Sequence, residues 1–359
     1  MTAPTGDTDR NHHGDGVPLE TPVVIFVFNR PDMIRQTLAA VRTARPTRLF
    51  LIADGPRDDR SDDPPLVAAT REVLDEVDWP CEVTRRYSAV NLGCEASIET
   101  GLDHVFSEVA EAMVIEDDCV ADPSFFRYAH ELLNLYRDDR RVWQISGNNY
   151  GVPERLFQDS SYRFTAWGSV LGWATWADRW QAHRATFPRD HHPVHDPRGS
   201  APVRTRPARP DSAALVTPSG RRHFADAATS QDVIIHGWDK HWWLSMMTEG
   251  GLTITPRRNL VEHVGWGAGA THGTSERPVR PPQQIDFPLE HPTEVAVDVE
   301  LERELELVLS RVGGRTARAL RRLVRAPRAR RALRGIAYSR PAVGFTRTWS
   351  RVTARTSRD

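Results

Sequence analysis

Ala112-Met113-Val114-Ile115-Glu116-Asp117-Asp118 is a short apolar run closed by three acids. An unbroken apolar run with β-branched residues reads as a strand buried on both faces. The carboxylates that follow it mark the point where the chain leaves the core. Taken alone, Glu116-Asp117-Asp118 is either a solvated turn or a holder for a divalent cation, since Mg2+ and Mn2+ prefer oxygen ligands and need only one or two carboxylates.

The same grammar repeats upstream. Val23-Val24-Ile25-Phe26-Val27-Phe28 is a second buried-strand pattern, broken by Asn29-Arg30-Pro31-Asp32, and Met33 to Thr43 follows with helical spacing through Ile34, Leu38 and Val41. Leu49 to Ala53 reads as a strand ending in the turn Asp54-Gly55-Pro56. A helix-like stretch from Leu66 to Val77, a strand over Cys81 to Arg85 and a helix from about Glu95 to Val109 lead back to the opening strand. Strands and helices alternating in short units predict an α/β fold, Rossmann-like, with a mostly parallel central sheet covered by helices on both faces. Ligands of such sheets sit beyond the carboxyl ends of the strands. Asn29-Arg30, Asp54 and the acidic triplet are therefore expected to meet at one edge.

Downstream, Pro123 to Tyr136 reads as a helix and Val142 to Ser146 as a strand, and Tyr162 to Trp180 is dense in Trp and Gly, as suits a close-packed pocket wall. Residues 185–230, rich in Pro, Arg, His and Ser, are expected to form a flexible insertion. Ordered sequence resumes over Val233 to Thr255, and from about Val295 two or three basic helices are expected. The domain reading is a disordered leader over 1–20, a folded α/β domain over 21–292 and a basic helical region over 293–359.

Of 359 residues, 39% are hydrophobic and 26% charged, as expected of a globular chain, and the formal net charge of −1 argues against a chain-wide polyanion binder. The balance hides an asymmetry: residues 311–359 contain 15 arginines and one acid. That tail is a solvated or partner-docking segment, or it lies on an anionic membrane; no recognition motif accompanies the charge, which disfavours nucleic acid. Three scattered cysteines without CxxC spacing exclude a disulfide framework or cysteine zinc site. The first twenty residues lack a signal-peptide core, and no apolar run approaches the ~20 residues of a membrane span. The expected location is cytoplasmic, with peripheral attachment to the inner membrane face through the tail.

Taken in order, these segments resemble the N-acetylglucosaminyltransferase I group of inverting GT-A glycosyltransferases and related bacterial family 2-like enzymes, over roughly residues 22 to 275. Val23 to Arg30 is similar to the family's first strand, whose terminal arginine contacts the nucleotide diphosphate. Ile52-Ala53-Asp54-Gly55 resembles the segment whose aspartate binds uracil. Val114 to Phe126, spanning Glu116-Asp117-Asp118, matches best. The resemblance implies that Asp118 coordinates Mn2+ or Mg2+ while Glu116 and Asp117 address the sugar and ribose. Val142 to Asn149 and Leu171-Gly172-Trp173 match the next strand and the aromatic element near the sugar. Gly237-Trp238-Asp239-Lys240-His241-Trp242 is similar to the family's Trp-Asp segment, which makes Asp239 the general base. Gly269-Ala270-Thr271-His272-Gly273 resembles the loop closing over the donor.

The implied activity is transfer of a hexosyl or N-acetylhexosaminyl group from a nucleoside-diphosphate sugar, expected to be a UDP-sugar, to a glycan, lipid-linked or small-molecule acceptor. The rivals are a sugar-nucleotide-forming nucleotidyltransferase, for which Phe28-Asn29-Arg30-Pro31 lacks a Gly-rich phosphate loop, and a non-catalytic sugar-nucleotide-binding scaffold. Each candidate keeps a plainer alternative. Arg30 can be a surface arginine before a turn, and Asp54 a purely structural turn residue. Asp239 can cap a helix starting at about Lys240. Trp167, Trp173, Trp176 and Trp180 can be core rather than a sugar platform. His263 and His272 are loop histidines or a second metal ligand.

Overall fold

The computed structural model describes residues 18–186, 238–265 and 281–311. The sheet is built from β1 (Val23–Val27), β2 (Arg48–Ala53), β3 (Glu82–Tyr87), β4 (Glu111–Glu116), β6 (Val142–Ser146), β7 (Tyr162–Thr165), β8 (Trp173–Trp176) and β9 (Leu252–Pro256). Its order is β3-β2-β1-β4-β8-β6-β9-β7. The pairs β3-β2, β2-β1, β1-β4 and β6-β9 are parallel; β8 runs antiparallel between β4 and β6, and β7 closes the far edge antiparallel to β9. This is the expected α/β class with a mostly parallel sheet. A separate two-stranded ribbon pairs β5 (Cys119–Ala121) with β10 (Val261–His263).

The helices are α1 (Pro31–Ala44), α2 (Asp63–Val73), α3 (Cys94–Glu108), α4 (Pro123–Leu135), α5 (Ala177–Thr186), α6 (Trp238–Thr248) and α7 (Val299–Arg311). Strand side chains alternate between faces, and both faces are apolar. Val23, Ile25 and Val27 of β1 join Leu49 and Leu51 of β2 in a core with Leu38 of α1 and Leu132 of α4. Val24, Phe26, Phe50 and Ile52 face the other way, onto Ile98 and Leu102 of α3, Trp180 of α5 and Trp242 of α6. Burial on two sides is why these strands read as continuous apolar runs rather than alternating ones.

The chain divides into a unit ending at Leu305 and a second beginning at Glu306. Residues just before that division attach to β7: Asp298 N–H donates to Phe164 O (2.8 Å), and Ala166 N–H donates to Glu302 (2.9 Å). The expectation of basic helices from Val295 needs correcting for the first of them. α7 carries Glu300, Glu302, Glu304 and Glu306 against Arg303 and Arg311, so the basic character begins only where it ends. The insertion expected over 185–230 lies almost wholly outside the described residues, as do most of the leader and all of the tail past Arg311. No helix among the described residues is long and apolar enough to cross a membrane.

Candidate functional site

Parallel pairing brings the strand ends together. Phe26 of β1 is in register with Ile52 of β2 on one side and Glu116 of β4 on the other. The loops after the three strands therefore leave the sheet at one edge, as the sequence pattern implies. Arg30 precedes α1 and reaches across to the triplet: its Nη1 lies 2.7 Å from Asp118 Oδ2 and 3.2 Å from Asp117 Oδ1. Phe28 N–H donates to Asp117 Oδ2 (3.2 Å). From inside, the buried Thr37 hydroxyl of α1 donates to the carbonyls of Asp117 (2.9 Å) and Cys119 (3.2 Å), so the turn is held by its backbone as well as its side chains.

The β5–β10 ribbon completes the far side. His263 pairs with Cys119 in the ladder, which sets its Nε2 3.3 Å from Asp118 Oδ2. Val264 N–H donates to Asp118 O (2.8 Å), and the backbone then passes so close that a Cβ on Gly265 would collide with the Asp118 carboxylate. Any larger residue there would have to displace the Asp118 carboxylate.

The charges are unevenly compensated. Burial works against ionisation of Asp118, but His263 and Arg30 outweigh it and hold its carboxyl below the ordinary range. Burial and the Asp118 charge push Asp117 up to about 6, against the pull of Arg30 and Phe28 N–H. Glu116 is pushed up to about 8 by burial, then by Asp118, Asp117 and Asp239. Carboxylates coupled this closely titrate as a group. Glu116 is the member of the group held furthest towards its protonated form.

Asp239 lies in the first turn of α6 rather than at its cap, exposed, and its charge acts on both Glu116 and Cys94. Cys94, the first residue of α3, has its thiol pushed up to about 12 by desolvation and by Glu116, Asp239, Asp117 and Asp54. Residues from the ends of β2 and β4 and the starts of α3 and α6 thus share one electrostatic neighbourhood.

Asp54 is engaged within the chain. It accepts from the N–H groups of Gly55 (2.8 Å), Leu92 (2.8 Å) and Gly93 (3.0 Å) and from Asn91 Nδ2 (3.0 Å). Burial raises its carboxyl above the ordinary value even so. Its work is to clamp the loop that launches α3. Trp173 is fully buried, its ring stacked 5.8 Å from Trp238 and tilted 5.2 Å from Trp242; it offers no face to a sugar and belongs to the core under α6. Trp176 and Trp180 are core as well. Thr271 and His272 lie outside the described residues.

Thr37 and Gly265 carried no sequence signal, because an alcohol inside a helix and a glycine in a Gly-rich stretch are commonplace. His263 was visible as a candidate, but its contact depends on a ribbon of three-residue strands, too short for any period to show.

No protein-family model matches the chain, and no curated protein matches it. Among solved structures it is similar to mouse xyloside xylosyltransferase 1 (12% identity, 65% of this chain and 83% of that one, TM-score 0.35). It is also similar to a UDP-glucose pyrophosphorylase complexed with UDP-glucose (10% identity, 46% and 80%, TM-score 0.29). A third is a 4-diphosphocytidyl-2C-methyl-D-erythritol synthase of Anaerococcus prevotii (12% identity, 47% and 78%, TM-score 0.29). Likeness at this level carries no argument about the activity of this chain.

Proposed function

We propose that this chain is an inverting glycosyltransferase that moves a sugar from a nucleoside-diphosphate sugar, with UDP as the carrier, to an acceptor hydroxyl. What supports the reading is the ion pairing of Arg30 with Asp117 and Asp118 at one sheet edge, together with Asp239, far away in sequence, whose charge acts on Glu116 of the same triplet.

The donor set fits a hard divalent cation. All three triplet ligands are oxygens, one guanidinium faces them, and Glu116 and Asp117 are held above their ordinary range by burial first and then by the neighbouring carboxylate charge. Asp118, the member kept ionised, would hold Mn2+ or Mg2+, with His263 orienting it. A bound ion would supply Lewis-acid stabilisation to the departing diphosphate. Arg30 adds charge-assisted hydrogen bonds to the same phosphates. Glu116 and Asp117 address the sugar and ribose, and the loop clamped by Asp54 forms the base side. Thr271 and His272 belong to the segment assigned to close over the donor. Asp239 takes the proton of the acceptor hydroxyl as it attacks the anomeric carbon, a role worth roughly 10²–10⁴-fold in rate. The acceptor is a glycan, a lipid-linked or a small-molecule hydroxyl, and residues 311–359 dock the enzyme on an anionic membrane surface.

The test is release of nucleoside diphosphate from a panel of UDP-, GDP- and TDP-sugars, with and without Mn2+. Release is expected to require the ion, to be lost in Asp118→Ala and to fall about 10²–10⁴-fold in Asp239→Asn. Release untouched by Asp118→Ala sinks the metal site, and undiminished transfer by Asp239→Asn sinks the base. Pyrophosphate release from a nucleoside triphosphate and a sugar phosphate would establish nucleotidyl transfer instead.

A further inference from the structure

Beside the triplet, α3 carries a row of acids one turn apart, Glu95, Glu99 and Asp103, facing α5 and α6. Arg184 of α5 pairs with Glu99 and, through Nε, with Asp103 (3.1 Å), which also accepts from Trp180 Nε1 (2.9 Å). His241 of α6 sets its Nδ1 3.3 Å from Glu99 Oε1 and 3.4 Å from Glu95 Oε1. Facing two carboxylate oxygens, Nδ1 is the nitrogen that carries the hydrogen. These three side chains bring one ligand atom each within 4.8 Å of one another. Arg184 already supplies a cation to Glu99, however, so the group is a hydrogen-bonded charge network rather than a cation cage.

The network's place in the fold gives it a consequence. The first turn of a helix has N–H groups without intrahelical partners, so its geometry depends on tertiary contacts. The rest of α6 is fixed without His241: Trp242 is buried among Trp143, Trp173 and Trp180, and Ser245 Oγ bonds His183 Nδ1 (2.8 Å). The first turn has the Trp238 stack on Trp173 and the His241 link to α3. Asp239 lies between those two anchors. The same α3 begins at the loop clamped by Asp54 and opens with Cys94, whose thiol is within reach of the Asp239 charge. We infer that His241, held by Glu95 and Glu99, is the positioning residue for Asp239, fixing its carboxylate over the Glu116 edge of the site. This rests on Asp239 being the general base, but the placement itself is measurable without any substrate.

Cys94 is the reporter. Thiolate is the reacting form, and its fraction rises as neighbouring negative charge is removed. Labelling of Cys94 by a neutral maleimide at fixed pH, followed by peptide mass spectrometry in a Cys81→Ser background, is expected to speed up about three- to tenfold in Asp239→Asn, a shift of up to one pKa unit. His241→Ala, which removes no carboxylate, should speed it similarly. His241→Asn, whose amide nitrogen stands where Nδ1 stood, should restore the wild-type rate. With a donor that turns over, His241→Ala should lower kcat about 10- to 100-fold with KM unchanged, as misplacement of a reacting group does. Faster labelling in Asp239→Asn with none in His241→Ala overturns the inference; so does no change in Asp239→Asn. If no donor turns over in the parent protein, the glycosyltransferase reading fails while the labelling series still decides the placement.

Discussion

Asp63 opens α2 with a buried carboxylate that accepts from Asn29 Nδ2 (2.8 Å), Arg57 N–H (3.1 Å) and Arg57 Nη2 (2.8 Å) and pairs with Arg57 Nε (2.5 Å). It thereby ties the loop after β1 to the loop after β2, two of the loops that rim the site. The Arg57 hydrogen bonds overcome burial and hold its carboxyl down at about 2. A folded-state value below the unfolded value of about 3.9 means the stabilisation is complete above pH ~4 and is lost as pH falls through 2. Glu116 and Asp117, raised, contribute with the opposite sign: their cost grows as pH rises from about 4.5 towards 8. The wild-type curve mixes both, and comparison with Asp63→Asn isolates the first. The urea midpoint of the variant should lie below wild type at pH 6, with the gap closing between pH 4 and 2; a gap independent of pH would contradict the assignment. None of this was legible beforehand. Asp63 sits in Asp58-Asp59-Arg60-Ser61-Asp62-Asp63, where composition marks every residue as solvated and only the fold selects one.

The elements that sequence located best are those whose surroundings are repetitive. β1, β2 and β4 are flanked by helices on both faces, so apolar runs marked them, and α4 announces itself with Pro123 in its first turn behind Asp122, whose carboxylate accepts from Ser124 N–H (2.9 Å). α6 had no such signature: Trp238, Trp242, Leu244, Met246 and Met247 are buried around most of its circumference, leaving no polar stripe to set a phase. β5 and β10 are too short for a period, and their pairing decides where His263 stands. The contact most dependent on element placement is that of Thr37, which ties α1 to the turn carrying the triplet. Thr37→Val keeps the shape and removes the donor. It is expected to cost about 1–2 kcal/mol, the value of a buried acceptor left unsatisfied, and to lower Tm by about 2–4 °C per kcal/mol. Weaker Mn2+ affinity should accompany it, whereas a drop in Tm with unchanged ion binding would make Thr37 a packing residue alone.

For the whole molecule, alternation of strand and helix fixed the class of fold but not the sheet's second half. β8 inserts between β4 and β6 although β6 precedes it in the chain, and β9 returns beside β6 from beyond residue 237. Such long-range pairings leave no local trace, since each strand's side chains record its burial and not its neighbour. Charge distribution, by contrast, is legible at this scale without any coordinates. A near-neutral chain with 15 arginines and one acid in residues 311–359 keeps its acids elsewhere, and four glutamates of α7 directly precede the basic stretch. Each basic residue near an anionic bilayer contributes on the order of 1 kcal/mol, so even partial engagement of the tail gives measurable binding. That attraction is screened over about 8–10 Å at physiological ionic strength. The intact chain is therefore expected to sediment with phosphatidylserine-containing vesicles at low salt and to release at high salt, and removal of residues 312–359 should abolish sedimentation while leaving nucleoside diphosphate release intact. Sedimentation unaffected by the truncation would remove the membrane surface as a partner. Loss of donor turnover on truncation would instead place the arginines at the reaction itself.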